Sequence, residues 1–134
     1  AGFWAGPIYN LAKEMGPVAD TAVSVHLNAI KNDPELVKGL VRAVMRGLKY
    51  TRAHPDELLG IAKKEYPTMD EVDLRAALDR SVADKVWSKD GFIPRQAWKT
   101  SHEVVRLPGL LKRDVSYDEV IDMRFVKEIQ PTLK

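Results

Sequence analysis

The side chains of this sequence that could do chemistry are three histidines, a stripe of cations and a few aromatic rings. His26, His54 and His102 are far apart and lack the His-x-x-x-His or His/carboxylate spacing that would place two metal ligands on one helix face. No metal site is expected. His54 precedes a proline at a helix start and His102 falls mid-helix, so both have structural roles available. Lys38, Arg42, Arg46 and Lys49 recur at helical spacing and could meet phosphates. The 21 basic and 19 acidic residues leave a formal charge of only +2, however, well short of the excess typical of a chain that coats nucleic acid. The stripe therefore reads as a solvated helix face, and no nucleic-acid partner is expected. No Ser, Asp or Glu stands in a nucleophile-elbow or phosphate-loop context, and zero cysteines exclude disulfides, thiolate catalysis and cysteine-ligated zinc. The expectation is a protein with no catalytic residues and no cofactor: not an enzyme.

Aromatic rings are the remaining candidates, because they can wall a ligand pocket. Trp87 and Trp98 sit within helical patterns and read as core anchors. Trp4 lies among Gly and Pro in Gly2-Phe3-Trp4-Ala5-Gly6-Pro7-Ile8-Tyr9, a turn-like context of the kind where binding groups concentrate. Trp4 and Tyr9 are the candidate ligand-binding residues.

The elements that must position these groups are mostly helices. Asn32 to Arg52 has the clearest pattern: Asn32 or Asp33 as cap, Pro34 in the first turn, Glu35 at the positive end of the dipole, and Leu36, Val37, Leu40, Val41, Val44, Met45 and Leu48 on one face. A second helix starts at His54-Pro55-Asp56-Glu57 and ends near Tyr66-Pro67. Thr68-Met69-Asp70-Glu71 has capping-box spacing and opens a third, with Leu74, Ala77, Leu78, Val82 and Val86 inward and Trp87 at its close. Asp90-Gly91 is a turn. Ile93-Pro94 leads into a fourth helix, with Ala97, Trp98, Ser101, Val104 and Val105 inward, stopped by Leu107-Pro108-Gly109. The tail carries a short helix at Tyr117 to Ile121, then a docking segment with Ile121, Met123, Phe125, Val126 and Ile129. Val18 to Leu27 is the stretch with most strand character, and a strand there would need a partner outside this sequence. The fold class is mainly α with a short β segment. With 134 residues and 45% hydrophobic content, one ordinary domain is expected, and no apolar run approaches the roughly 20 residues needed to cross a bilayer.

Several phrases in order resemble the C-terminal part of periplasmic solute-binding proteins of the sulfonate, nitrate, taurine and thiamine-precursor type, which feed ABC importers. They are Asn32-Asp33-Pro34-Glu35-Leu36-Val37, His54-Pro55-Asp56-Glu57, Tyr66-Pro67, Trp87-Ser88-Lys89-Asp90-Gly91-Phe92-Ile93-Pro94 with Trp98, Gly109-Leu110-Leu111-Lys112, and Asp122-Met123-Arg124-Phe125. Phe3-Trp4-Ala5-Gly6-Pro7 is similar to the segment that often carries Trp-Glu-Pro near the ligand cleft, with Gly6 in place of the acid.

The resemblance implies a fragment of a two-lobed α/β periplasmic-binding-protein (type II) fold. Residues 1–30 would end the second lobe and cross the hinge, and residues 31–134 would form a C-terminal helical segment packing on the first lobe. The opening Ala1-Gly2, with no initiator Met, fits that expectation. The implied function is capture of a small organic or anionic solute between two lobes, in the periplasm or outside the cell, with an ABC permease as partner. Apolar surface left uncovered by the missing half would favour a homodimer. The alternative from another class is a self-contained helical protein-interaction module that binds an acidic partner through the basic stripe.

Overall fold

The computed structural model describes residues 14–133. These divide into two compact units: Val23–Phe92 with Met123–Lys134, and Ile93–Asp122 with the stretch ahead of Val23.

The first unit is organised on α2 (Pro34–Ala53), preceded by the short helix α1 (Leu27–Asn32). The start of α2 follows from its first residues. Asp33 Oδ1 accepts the Leu36 N–H at 3.0 Å, Pro34 occupies the first turn, where its missing N–H is no loss, and Glu35 meets the positive helix end. Such a cap is worth about 1 kcal/mol. A 3-10 turn (Pro55–Glu57) then leads into α3 (Leu58–Glu65), which pairs with α4 (Glu71–Ala83); Leu58 and Leu74 are the buried residues of that pair. Residue 70, not Thr68, caps α4: the Asp70 carboxylate accepts the Val72 N–H at 2.8 Å. Asp70 stands at the N-cap, from which its carboxylate reaches the N–H of the second helical residue, whereas Thr68 sits in the turn before it.

The unit closes with α7 (Arg124–Ile129) and a 3-10 turn (Gln130–Thr132). Phe125, Val126 and Ile129 come from α7, Val37 and Met45 from α2, and together they form the core, flanked by Val25, Ala29, Ile30, Val41, Phe92, Met123 and Leu133. Ile129 is completely buried. Lys38 ties the same two helices from the rim, its Nζ 3.0 Å from Glu35 and 2.6 Å from Glu128. The apolar face of α2 is wider than this core covers, so Leu36, Leu40 and Val44 remain exposed.

The second unit holds α5 (Arg95–Arg106) and α6 (Tyr117–Val120). Ala97 is buried, and Trp98, Ser101 and His102 share its side of α5, while Val104 and Val105, expected inward, are exposed. Gly109, at φ +74, ends the α5 segment, its N–H donating to the Arg106 carbonyl. The α6 start is a capping box between Ser116 and Glu119, in which the Ser116 N–H donates to Glu119 Oε2 at 2.7 Å.

No strand occurs among the described residues. The expected β segment at Val18 to Leu27 is therefore a miss, and so is the fragment of a type II periplasmic-binding-protein fold built around it. Residues 16–26 are irregular, and the backbone of Ala19 finds another partner. The Ala19 N–H reaches Ser101 Oγ at 2.8 Å and the Ala97 carbonyl at 3.3 Å, and Ser101 Oγ lies 3.0 Å from the Ala19 carbonyl. A backbone satisfied by a helix side chain has no need of a ladder. At Leu27 the chain is already helical, capped by His26 Nδ1, which accepts the Asn28 N–H at 3.1 Å.

Candidate functional site

A concavity in the first unit lies where the C-terminal half of α2, the Ser88–Phe92 turn and the final 3-10 turn meet. Met45, Leu48, Lys49 and Arg52 come from α2, Lys89 and Asp90 from the turn, and Gln130 and Leu133 from the tail. The recess has a volume of about 380 Å³, at the lower end of the roughly 300–1,000 Å³ that small-molecule sites occupy.

Each wall has a local cause. Along α2, positions 45, 48, 49 and 52 fall on one stripe at helical spacing, so two apolar and two cationic side chains face one space. The turn is held by its own side chains: Ser88 Oγ accepts the Gly91 N–H at 2.9 Å, and Asp90 Oδ1 accepts the Phe92 N–H at 3.1 Å. Gly91 adopts φ +80, and a Cβ there would stand 3.3 Å from Met45 Cγ and 3.7 Å from Val126 Cγ1. Only glycine lets the turn approach the core this closely. Arg52 anchors the turn from α2, its Nη1 donating to the Ser88 carbonyl at 3.2 Å.

The charge of the recess is lopsided. Among the described residues three cations, Lys49, Arg52 and Lys89, face one carboxylate, Asp90, a local excess as large as the net charge of the whole chain. None of the three cations has an ion-pair partner among the described residues, and Arg52 has spent one of its five N–H donors. Met45, Leu48 and Leu133 supply an apolar floor, and the Gln130 amide offers both a donor and an acceptor. An apolar floor under a cationic rim can take up a small molecule with an apolar body and a polar or anionic group.

The residues singled out by sequence fare unequally. Trp4 and Tyr9 lie outside the described residues. Trp87, expected as a core anchor, is 38% exposed, because α4 ends at Ala83 and Lys85 turns the chain at φ 52. Trp98 is half-buried in the second unit, its ring 5.8 Å from His102 and edge-on to Tyr117 at 6.5 Å. Arg95 covers the Tyr117 ring at 4.4 Å while its Nη2 reaches both Asp118 oxygens, and the Tyr117 hydroxyl donates to the Ile93 carbonyl at 2.7 Å.

The histidines do not converge. His26 caps α1. His54 stacks on Tyr50, with ring centroids 4.3 Å apart, and its Nδ1 lies 3.3 Å from Glu57. Glu57 also accepts the Tyr50 hydroxyl, and this bond to the carboxylate pushes the Tyr50 phenol above its ordinary pKa. His102 Nε2 is buried 3.5 Å from Asp114. No group of three metal-ligating side chains exists among the described residues.

The basic stripe is not one surface. Lys38 is engaged by Glu128 and then Glu35, whose hydrogen bonds raise its pKa, while Lys49 turns into the recess. Sequence reasoning missed Arg52, Lys89, Asp90 and Gln130 as a group. The Lys49/Arg52 spacing was visible, but nothing local announces that the 88–92 turn and the tail arrive beside them.

Comparison of the amino-acid sequence with characterised proteins gives a distant relative. The chain resembles a riboflavin binder. It is 30% identical over 126 residues to the riboflavin-binding protein RibY of Chloroflexus aurantiacus, an alignment covering 87% of this chain. The chain spans about a third (35%) of that relative's length. No family model and no solved structure matches it. The resemblance to sulfonate, nitrate, taurine and thiamine-precursor binding proteins is corrected by these findings: the described residues hold no strand, and the relative is named for another ligand.

Proposed function

We propose that this chain is part of a non-catalytic small-molecule-binding protein whose ligand is a flavin. The observation that carries the reading is the 30% identity over 126 residues to a protein named for binding riboflavin. The recess of the first unit supports it, with an apolar floor of Met45, Leu48 and Leu133 beneath polar groups able to meet ring heteroatoms or a polyol. Binding without chemistry agrees with the placement of the titratable groups: His26, His54 and His102 serve a cap, a stack and a carboxylate contact, each in a different place.

Titration of flavins against the purified chain, followed by quenching of isoalloxazine fluorescence, tests the reading. Saturable quenching with 1:1 stoichiometry is the expected result. No quenching of any flavin up to about 1 mM, where binding free energy would be weaker than about −4 kcal/mol, refutes it.

A further inference from the structure

We propose that the recess between α2, the 88–92 turn and the tail selects the phosphorylated form of its aromatic ligand. The inference rests on the flavin reading for the ring and on the arrangement of cations for the phosphate.

The argument starts from what a neutral flavin needs. A ring system with a polyol is served by an apolar surface and a few neutral donors and acceptors, which Met45, Leu48, Leu133 and Gln130 supply. Three cations add nothing that such a ligand requires. Lys49 and Arg52 are three positions apart on α2, so both reach the same rim, and Lys89 faces them from the turn. Five cations elsewhere have carboxylate partners: Lys38 with Glu35 and Glu128, Arg75 with Glu71, Arg95 with Asp118, Arg106 with Glu103, Arg113 with Glu119. Around the recess no such pair occurs among the described residues, and three unpaired cations share one small space. The one carboxylate there among the described residues, Asp90, has an oxygen committed to the Phe92 N–H as a turn cap. Its presence is accounted for by the turn.

A phosphate monoester is the substituent this rim fits. It carries up to two negative charges and three acceptor oxygens, matching a guanidinium fork and two ammonium groups on flexible stems. Arg52 is the most constrained of the three because its bond to the Ser88 carbonyl fixes one edge of the guanidinium. The lysines swing to the remaining oxygens. The ring then lies over Met45, Leu48 and Leu133, with the phosphate toward Lys49 and Lys89.

The test compares riboflavin with riboflavin 5′-phosphate on the intact chain, by fluorescence quenching at low ionic strength. The expected result is at least fivefold tighter binding of the phosphorylated form. Lys49→Gln and Lys89→Gln should each weaken that form by about three- to fivefold, and the double variant should erase the preference. Asp90→Asn keeps the oxygen that caps the Phe92 N–H and removes a repelling charge, so it should tighten the phosphorylated form about two- to threefold. Lys64→Gln, on α3 and outside the recess, is the control for general charge. Raising salt to several times the starting concentration should narrow the preference, because these cations are exposed to solvent. Equal affinity for the two flavins, or a preference that survives in the Lys49→Gln/Lys89→Gln variant, overturns the inference and leaves the flavin reading standing. Binding of neither flavin overturns both. Circular dichroism identical to the parent confirms that each variant is folded.

Discussion

Ile129→Ala and Leu36→Ala delete the same three carbons, yet should have very different effects. Ile129 is 0% exposed, packed with Val37, Met45, Phe125 and Val126, whereas Leu36 is 63% exposed on the uncovered flank of α2. At about 0.8 kcal/mol per buried carbon, Ile129→Ala loses ~2.4 kcal/mol of transfer free energy. The cavity left in a core of few residues raises this to about 3–4 kcal/mol. For Leu36, with little more than a third of the side chain covered, the same arithmetic gives about 1 kcal/mol and no cavity. Urea unfolding followed by far-ultraviolet circular dichroism measures both. The midpoint of Ile129→Ala should fall steeply with an unchanged slope, and that of Leu36→Ala only slightly. Equal losses, or less than about 1 kcal/mol for Ile129→Ala, would show that α7 does not seat in this core and would undo the placement of the tail beside the recess.

Four further outcomes follow from particular contacts. Gly91→Ala should cost about 1–3 kcal/mol in thermal unfolding, because alanine is strained at φ +80 and its Cβ meets Met45 at 3.3 Å. Asp33→Ala should cost about 1 kcal/mol through the lost cap, while Thr68→Ala should stay within about 0.5 kcal/mol because Asp70 caps α4. On the acid side, the Ser116 N–H and then Arg113 hold the Glu119 carboxyl below its ordinary 4.5. Its contribution is complete above that value and is lost as pH falls through the lower folded one, so Glu119→Gln should flatten the acid limb of a melting-temperature profile. On the alkaline side, Lys38 is raised above 10.5 by Glu128 and Glu35. Its contribution is present below 10.5 and fades as pH climbs through the folded value, so Lys38→Gln should flatten that limb.

Local rules served well wherever the interaction is local. The Asp33-Pro34-Glu35 start of α2, the Asp90-Gly91 turn and the Pro108-Gly109 stop were legible because cap, turn and terminator chemistry act within a few residues. The docking role of Phe125, Val126 and Ile129 was legible as an apolar pattern, though not its target. Val18 to Leu27 failed because β-branched residues signal fit to a pleated surface only when such a surface is present. Here Ala19 pairs with Ser101, and His26 caps a helix through its ring nitrogen. Trp87 failed because bulk and a helical phase do not say where a helix stops, and α4 stops at Ala83. The recess was illegible for a different reason: its three walls come from positions 45–52, 89–90 and 130–133.

The pairing of α2 with α7 has a consequence for the birth of the molecule. Val37 and Ile129 are about ninety residues apart, so the first unit closes its core only through a contact of long loop length. During synthesis α2 emerges with its apolar face bare and stays so until the Phe125-to-Ile129 stretch has cleared the ribosome tunnel. At an elongation rate of about 5–20 residues per second, that interval is roughly 5–20 seconds. Over that window Val37 and Met45 are as open to a chaperone, or to a neighbouring nascent chain, as Leu36 and Leu40 remain afterwards.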